Sequence, residues 1–213
     1  MSDDLKDNNV INDTDNPTET PELQRSCSRD QGLLTEFQVF VLDPNTSGSV
    51  AIPIALSPLF TEVAELSALT TPPSFLVIDE YTDRVWLNAT IGWQAITNGT
   101  GVDRVEVLFS IYRDSLPPTG TLIFSTLDSG QADPEDNFVT THLSHVDLNP
   151  FDVSPTCPIP PTGPCIRLVN YFLTAELPLA GSAANIIGPI TFTGAEIERN
   201  RNCCFTLPPT VAP

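Results

Sequence analysis

Hydrophobic side chains recur with a two-residue period along much of this chain, beginning at Leu33. Val85, Leu87, Ala89, Ile91 and Trp93 fall on one side of an extended segment. Val105, Val107, Phe109 and Ile111 do the same in another. Such alternation sets a core face opposite a second face in each strand. In residues 168–175 both sets, Leu168, Asn170, Phe172 and Thr174 against Val169, Tyr171, Leu173 and Ala175, are mostly apolar. Nine segments read as strands: "LLTEFQVFVL", "VAIPIAL", "FLVI", "RVWLNATIGWQAI", "RVEVLFSIYR", "TLIFSTL", "FVTTHLSHVDL", "IRLVNYFLTAEL" and "IIGPITFTGAEIE". Turn chemistry separates them in "NGTG", "RDSLPPTG", "DSGQADPED", "PPTGP" and "LAGSA". No window carries a sustained helical period, and only "SPLFTEVAELSAL" suggests a turn or two of helix. No internal repeat of fixed length occurs. Many short strands with regular turns predict an all-β domain, an antiparallel β-sandwich or jelly roll.

The pattern also sets the expected boundaries. Residues 1–32 hold eight acids, three bases and two prolines with few apolar side chains. They bury too little to offset ordering entropy, so a flexible acidic N-terminal arm is expected there. The folded domain is expected over 33–198, followed by a C-terminal tail at 199–213 that contains "CC" and "TLPPTVAP". Prolines in that tail discourage further sheet pairing.

Charge narrows the partners. Among 213 residues, 27 acids face 9 Lys and Arg, for a net charge of -18. Such a surface repels phosphate backbones and anionic bilayers, so neither nucleic acid nor membrane is an expected partner. The acidic N-terminus lacks the apolar core of a secretory signal, and no stretch is long and apolar enough for a membrane helix.

The five cysteines are Cys27, Cys157, Cys165, Cys203 and Cys204, an odd number that leaves at least one without an intrachain partner. Cys157 and Cys165 bracket the proline-stiffened "PIPPTGP" and are the candidates for an intrachain bridge. Adjacent Cys203 and Cys204 do not suit each other, because neighbouring Cα atoms sit about 3.8 Å apart whereas a disulfide wants about 5.5 Å. Cys27, Cys203 and Cys204 therefore become candidates for intermolecular disulfides, against the alternative of free surface thiols.

Catalytic signatures do not emerge. GxSxG, Walker and HExxH patterns are missing from the sequence. The two histidines, His142 and His145, lie three apart in one strand segment and so face opposite sides. An enzyme is not expected, nor a cofactor. Asp128, Asp133, Glu135 and Asp136 cluster in "DSGQADPED" as a weak calcium candidate, with a solvated acidic turn as the plainer reading. Trp93 shares the apolar face of Val85 and Ile91 and is expected in the core. Trp86 falls on the opposite face.

"DRVWLNATIGWQAI", "VEVLFSIYRD", "NFVTTHLSHVDLNP", "VNYFLTAEL" and "ANIIGPITFTGAEI", in this order, resemble the exosporium protein C type of domain on Bacillus-group spores. The likeness covers about residues 75–198 and consists of structural strands. Where the family has an "RDG"-like strand end, this chain reads "RDSLPPTG", and "FDVSPTCPIPPTGPC" looks like an insertion. The resemblance implies a jelly-roll-like sandwich and a structural role on the spore surface, in the exosporium or an appendage. It implies partners that are copies of the chain and other spore-surface proteins. It also accounts for an exported location without a signal peptide, by release when the mother cell lyses, and for cysteines that oxidise late. The alternative is a lectin-like or receptor-binding jelly-roll module.

Overall fold

The computed structural model describes residues 33–80, 82–96, 104–133, 137–151 and 166–198. The arm over 1–32 and the tail over 199–213 lie outside the described residues. The described chain is all β, with no helix among its elements. The strands are β1 (Leu33–Val41), β2 (Ile52–Pro53), β3 (Thr61–Leu66), β4 (Leu76–Ile78), β5 (Arg84–Ile96), β6 (Arg104–Arg113), β7 (Thr121–Gln131), β8 (Phe138–Asp147), β9 (Arg167–Val169), β10 (Tyr171–Glu176) and β11 (Ala183–Glu198).

Set aside the short β2, β4 and β9, and the remaining strands pair as one long hairpin rolled on itself. β6 pairs β7 at its tip, then β5 pairs β8, β3 pairs β10, and β1 pairs β11, every pair antiparallel. Rolling brings β11 beside β5 and β10 beside β6. The outcome is two sheets, ordered β1-β11-β5-β8 and β3-β10-β6-β7. That nesting is the eight-stranded jelly roll.

The alternating positions meet between the sheets. Leu87, Ile91 and Trp93 of β5 and Phe192 of β11 face Val107, Phe109 and Ile111 of β6, all fully buried. Trp93 and Phe109 touch across the gap, ring centroids 6.5 Å apart. Burying each such side chain contributes roughly 1.5–3 kcal/mol.

Three readings of the sequence change. "IRLVNYFLTAEL", read above as one strand, breaks at Asn170 into β9, which pairs β4, and β10 of the four-stranded sheet. "TEVAEL", taken above as a possible helical turn, is β3. Its period is broken by a bulge: Leu173 pairs Ala64 while Thr174 pairs Glu62, so Val63 is the extra residue and adjacent Val63 and Ala64 are both buried. "DSGQ", taken as the start of an acidic turn, completes β7. Gly130 fits there because a Cβ would meet Val139 Cγ2 at 2.6 Å and the Trp93 ring at 3.0 Å.

A second close approach explains "IGW" and "IIGPI". The β5–β11 register shifts between Ile186 and Ile190. A Cβ on Gly92 would lie 1.9 Å from the Gly188 carbonyl oxygen, and Gly188 itself has φ 80°. The loop after β1 holds this bulge: the Ile190 amide donates to Asn45 Oδ1 at 2.6 Å, and the Gly48 amide to the Ile187 carbonyl at 2.8 Å.

Candidate functional site

Alternation fails at a few inward positions, where charge replaces an apolar side chain. Arg113 ends the inward row of β6 and Asp147 ends that of β8. Arg113 Nη1 donates to both Asp147 oxygens, at 3.0 and 2.7 Å, and to the Asn149 carbonyl at 2.6 Å. The Tyr171 hydroxyl of β10 donates to Asp147 Oδ2 at 3.0 Å. Burial and the Asp147 carboxylate push the Tyr171 hydroxyl well above its ordinary range, so it remains a neutral donor. An open depression of about 320 Å³ borders this network at Ile123 and His145. The carboxylate inside it is already held by an arginine and a tyrosine, a lock between the sheets.

The histidines lie on opposite faces, as their spacing requires. His142 Nδ1 meets Thr90 Oγ1 at 3.0 Å on the outer face. His145 faces inward and stacks on Phe124 at 4.9 Å. Of the acidic loop, Asp128 lies in β7 and takes a hydrogen bond from Thr141, which in turn accepts from Trp93 Nε1 at 2.9 Å. Asp133 is exposed, and Glu135 and Asp136 lie outside the described residues. Among the described residues, Asp128 and Asp133 are not joined by a third acid.

A different acidic trio does converge. Asp79, Asp83 and Glu196 bring carboxylate oxygens within 4.8 Å of one another. Thr35 donates to one Glu196 oxygen and the Asp79 amide to the other. Oxygen ligands at this spacing suit a hard divalent cation. Burial raises the Glu196 carboxyl above its ordinary range, the hydrogen bonds from Thr35 and Asp79 oppose this, and the Asp83 and Asp79 charges add to the rise. More than a hundred residues separate Glu196 from Asp79 and Asp83, so spacing did not reveal the trio. The available signal was Glu196 itself, an acid on the inward row of β11 with Phe192.

The two outer faces differ in charge. On the β3-β10-β6-β7 sheet, Glu62, Glu65, Glu106 and Glu176 occupy outward positions around Tyr112 and Phe172. Burial and the neighbouring Glu65 raise the Glu62 carboxyl. The outer face of β1-β11-β5-β8 is built of cross-strand rows. One reads Phe37, Ala195, Trp86, Val146; the next reads Val39, Thr193, Asn88, Ser144. No outward residue paired across these four strands is Asp or Glu; Glu36 is the extra residue of the β1 bulge. Phe37 is 64% exposed and Trp86 38%, with the Trp86 indole donating to Ser144 at 2.9 Å.

β1 is also the edge of its sheet and pairs β11 from Leu33 opposite Glu198 onward. The chain therefore enters and leaves the described domain side by side. Cys27 is six residues before Leu33, and Cys203 and Cys204 are five and six after Glu198. Cys27, Cys157, Cys165, Cys203 and Cys204 all lie outside the described residues.

No family model and no curated protein matches the chain. Among solved structures, that of the infectious bursal disease virus Gx strain is similar with TM-score 0.36 and 10% identity, over 79% of this chain and 33% of that one. The VP2 subviral particle of infectious bursal disease virus is similar with TM-score 0.26 and 8% identity, over 82% of this chain and 45% of that one. This chain spans less than half the length of either. The jelly-roll assignment rests on the strand order and not on these likenesses.

Proposed function

We propose that this chain is a structural subunit of a spore surface, in the exosporium or an appendage, that associates with copies of itself and is cross-linked by disulfides between neighbours. The strand motifs that resemble the exosporium protein C type of domain support the location. The pairing of Leu33 with Glu198 carries the cross-linking. It gives the segments bearing Cys27, Cys203 and Cys204 one common exit from the sandwich. Three thiols at one exit form at most one bridge among themselves, so one remains for a neighbouring subunit. The histidines on opposite faces and the already paired Asp147 support a structural role over a catalytic one.

Non-reducing gel electrophoresis of the oxidised full-length protein tests this. A ladder of multimers that collapses on reduction, and that shortens when Cys27, Cys203 and Cys204 are replaced by serine, is the expected outcome. Monomer alone after oxidation overturns the cross-linking.

A further inference from the structure

We propose that the outer face of the β1-β11-β5-β8 sheet is the docking face for a second copy of this chain, which rests on the self-association reading above and names the surface it uses.

Charge selects both the face and the occupant. Two molecules of net charge -18 repel, and bringing carboxylates together without counter-charges is unfavourable. The β3-β10-β6-β7 face would set Glu62, Glu65 and Glu176, and Glu106 with its ion-pair partner Arg104, against whatever copy approaches it. The β1-β11-β5-β8 face presents no paired carboxylate. One of its rows, Phe37, Ala195, Trp86 and Val146, runs apolar across all four strands. This face is not free of charge, but it carries the outward Arg84 of β5 and the exposed Glu36 at the β1 edge, one base and one acid, so an isologous pair of these faces adds no net charge. A basic partner would be drawn instead to the glutamate-bearing face.

Size decides how tight the contact is. Four strands about 4.8 Å apart, over roughly eight residues each, present about 500 Å² in projection. Standard interfaces bury about 800 Å² per partner, so docking by this face alone is weak. The chain exits at Leu33 and Glu198 belong to the same sheet, at its β1 edge. On the cross-linking reading above, a disulfide between neighbours reinforces this weak contact.

The test is sedimentation velocity of full-length protein in reducing buffer, over a range of concentration and salt. Reduced wild type is expected to dimerise reversibly, and more tightly as salt rises from about 0.05 to 0.5 M and screens the net charge. Phe37→Glu and Trp86→Glu each weaken the dimer at least about tenfold. Phe37→Ser, at a position already mostly in solvent, weakens it too without adding charge. Leu127→Glu on the other outer face leaves it intact, and unchanged circular dichroism confirms that the variants fold. A dimer lost in Leu127→Glu and kept in the Phe37 and Trp86 variants overturns the face while leaving self-association standing. A reduced monomer that still forms disulfide-linked multimers on oxidation also overturns the face and leaves the cross-linked subunit standing. A monomer in both states overturns both.

Discussion

Arg113 of β6 and Asp147 of β8 form an ion pair at 2.7 Å between the two sheets, with their side chains only 4% and 5% exposed. Removing Asp147 leaves the buried Arg113 guanidinium only the half-exposed Asp114 carboxylate, 3.8 Å from Nε, as a charge partner among the described residues. Asp147→Asn is expected to lower unfolding stability by about 3–5 kcal/mol, read from urea denaturation. Tyr171→Phe removes only one hydrogen bond to the same carboxylate and costs about 1 kcal/mol. Replacing Arg113 and Asp147 together with apolar residues of similar volume costs less than Asp147→Asn alone. Equal losses in both would show that the pair is not what holds the sheets.

Glu196 gives a pH dependence of definite sign. Its folded carboxyl titrates above the ordinary value of 4.5, chiefly through burial. The favourable protonated form is fully present below the unfolded value and is lost as pH rises through the folded one. Glu196→Gln is therefore expected to be more stable than wild type at pH 7. Its advantage shrinks as pH falls towards 4.5 and wild-type Glu196 takes up its proton. Melting temperatures of both proteins across that range check this, and a constant difference contradicts it.

Gly92 sits where a side chain has no room, 1.9 Å from the Gly188 carbonyl. Gly92→Ala forces β5 and β11 apart at the bulge and is expected to cost more than the roughly 1–3 kcal/mol typical of overpacking. Gly48→Ala, at φ 78° but with open space around it, pays only backbone strain and costs less. Thermal unfolding of the two variants ranks them.

The jelly roll was legible where period two runs unbroken, as in Val85 to Trp93 and Val105 to Ile111. Those residues are the floor and roof of the core. β3 was not legible, because the bulge at Val63 places two buried residues in succession and spaces Glu62 and Glu65 three apart, as on a helix. The inward charges Arg113, Asp147 and Glu196 stood out against the alternation, but their partners come from distant strands and only the register unites them. The charge difference between the outer faces was hidden for the same reason. Trp86 and Phe37 become neighbours of one row only when β11 lies between their strands. The cysteines were legible as a set, while their common exit appeared only with Leu33 opposite Glu198.

The central claim is that neighbouring copies are joined by disulfides, and one measurement reaches it most directly. Isotopically heavy and light full-length proteins are mixed, oxidised together, and their disulfide-linked peptides mapped by mass spectrometry. The account predicts mixed heavy–light pairs containing Cys27, Cys203 or Cys204. Linked peptides of a single isotope throughout, with every bridge closed inside its own chain, would contradict it.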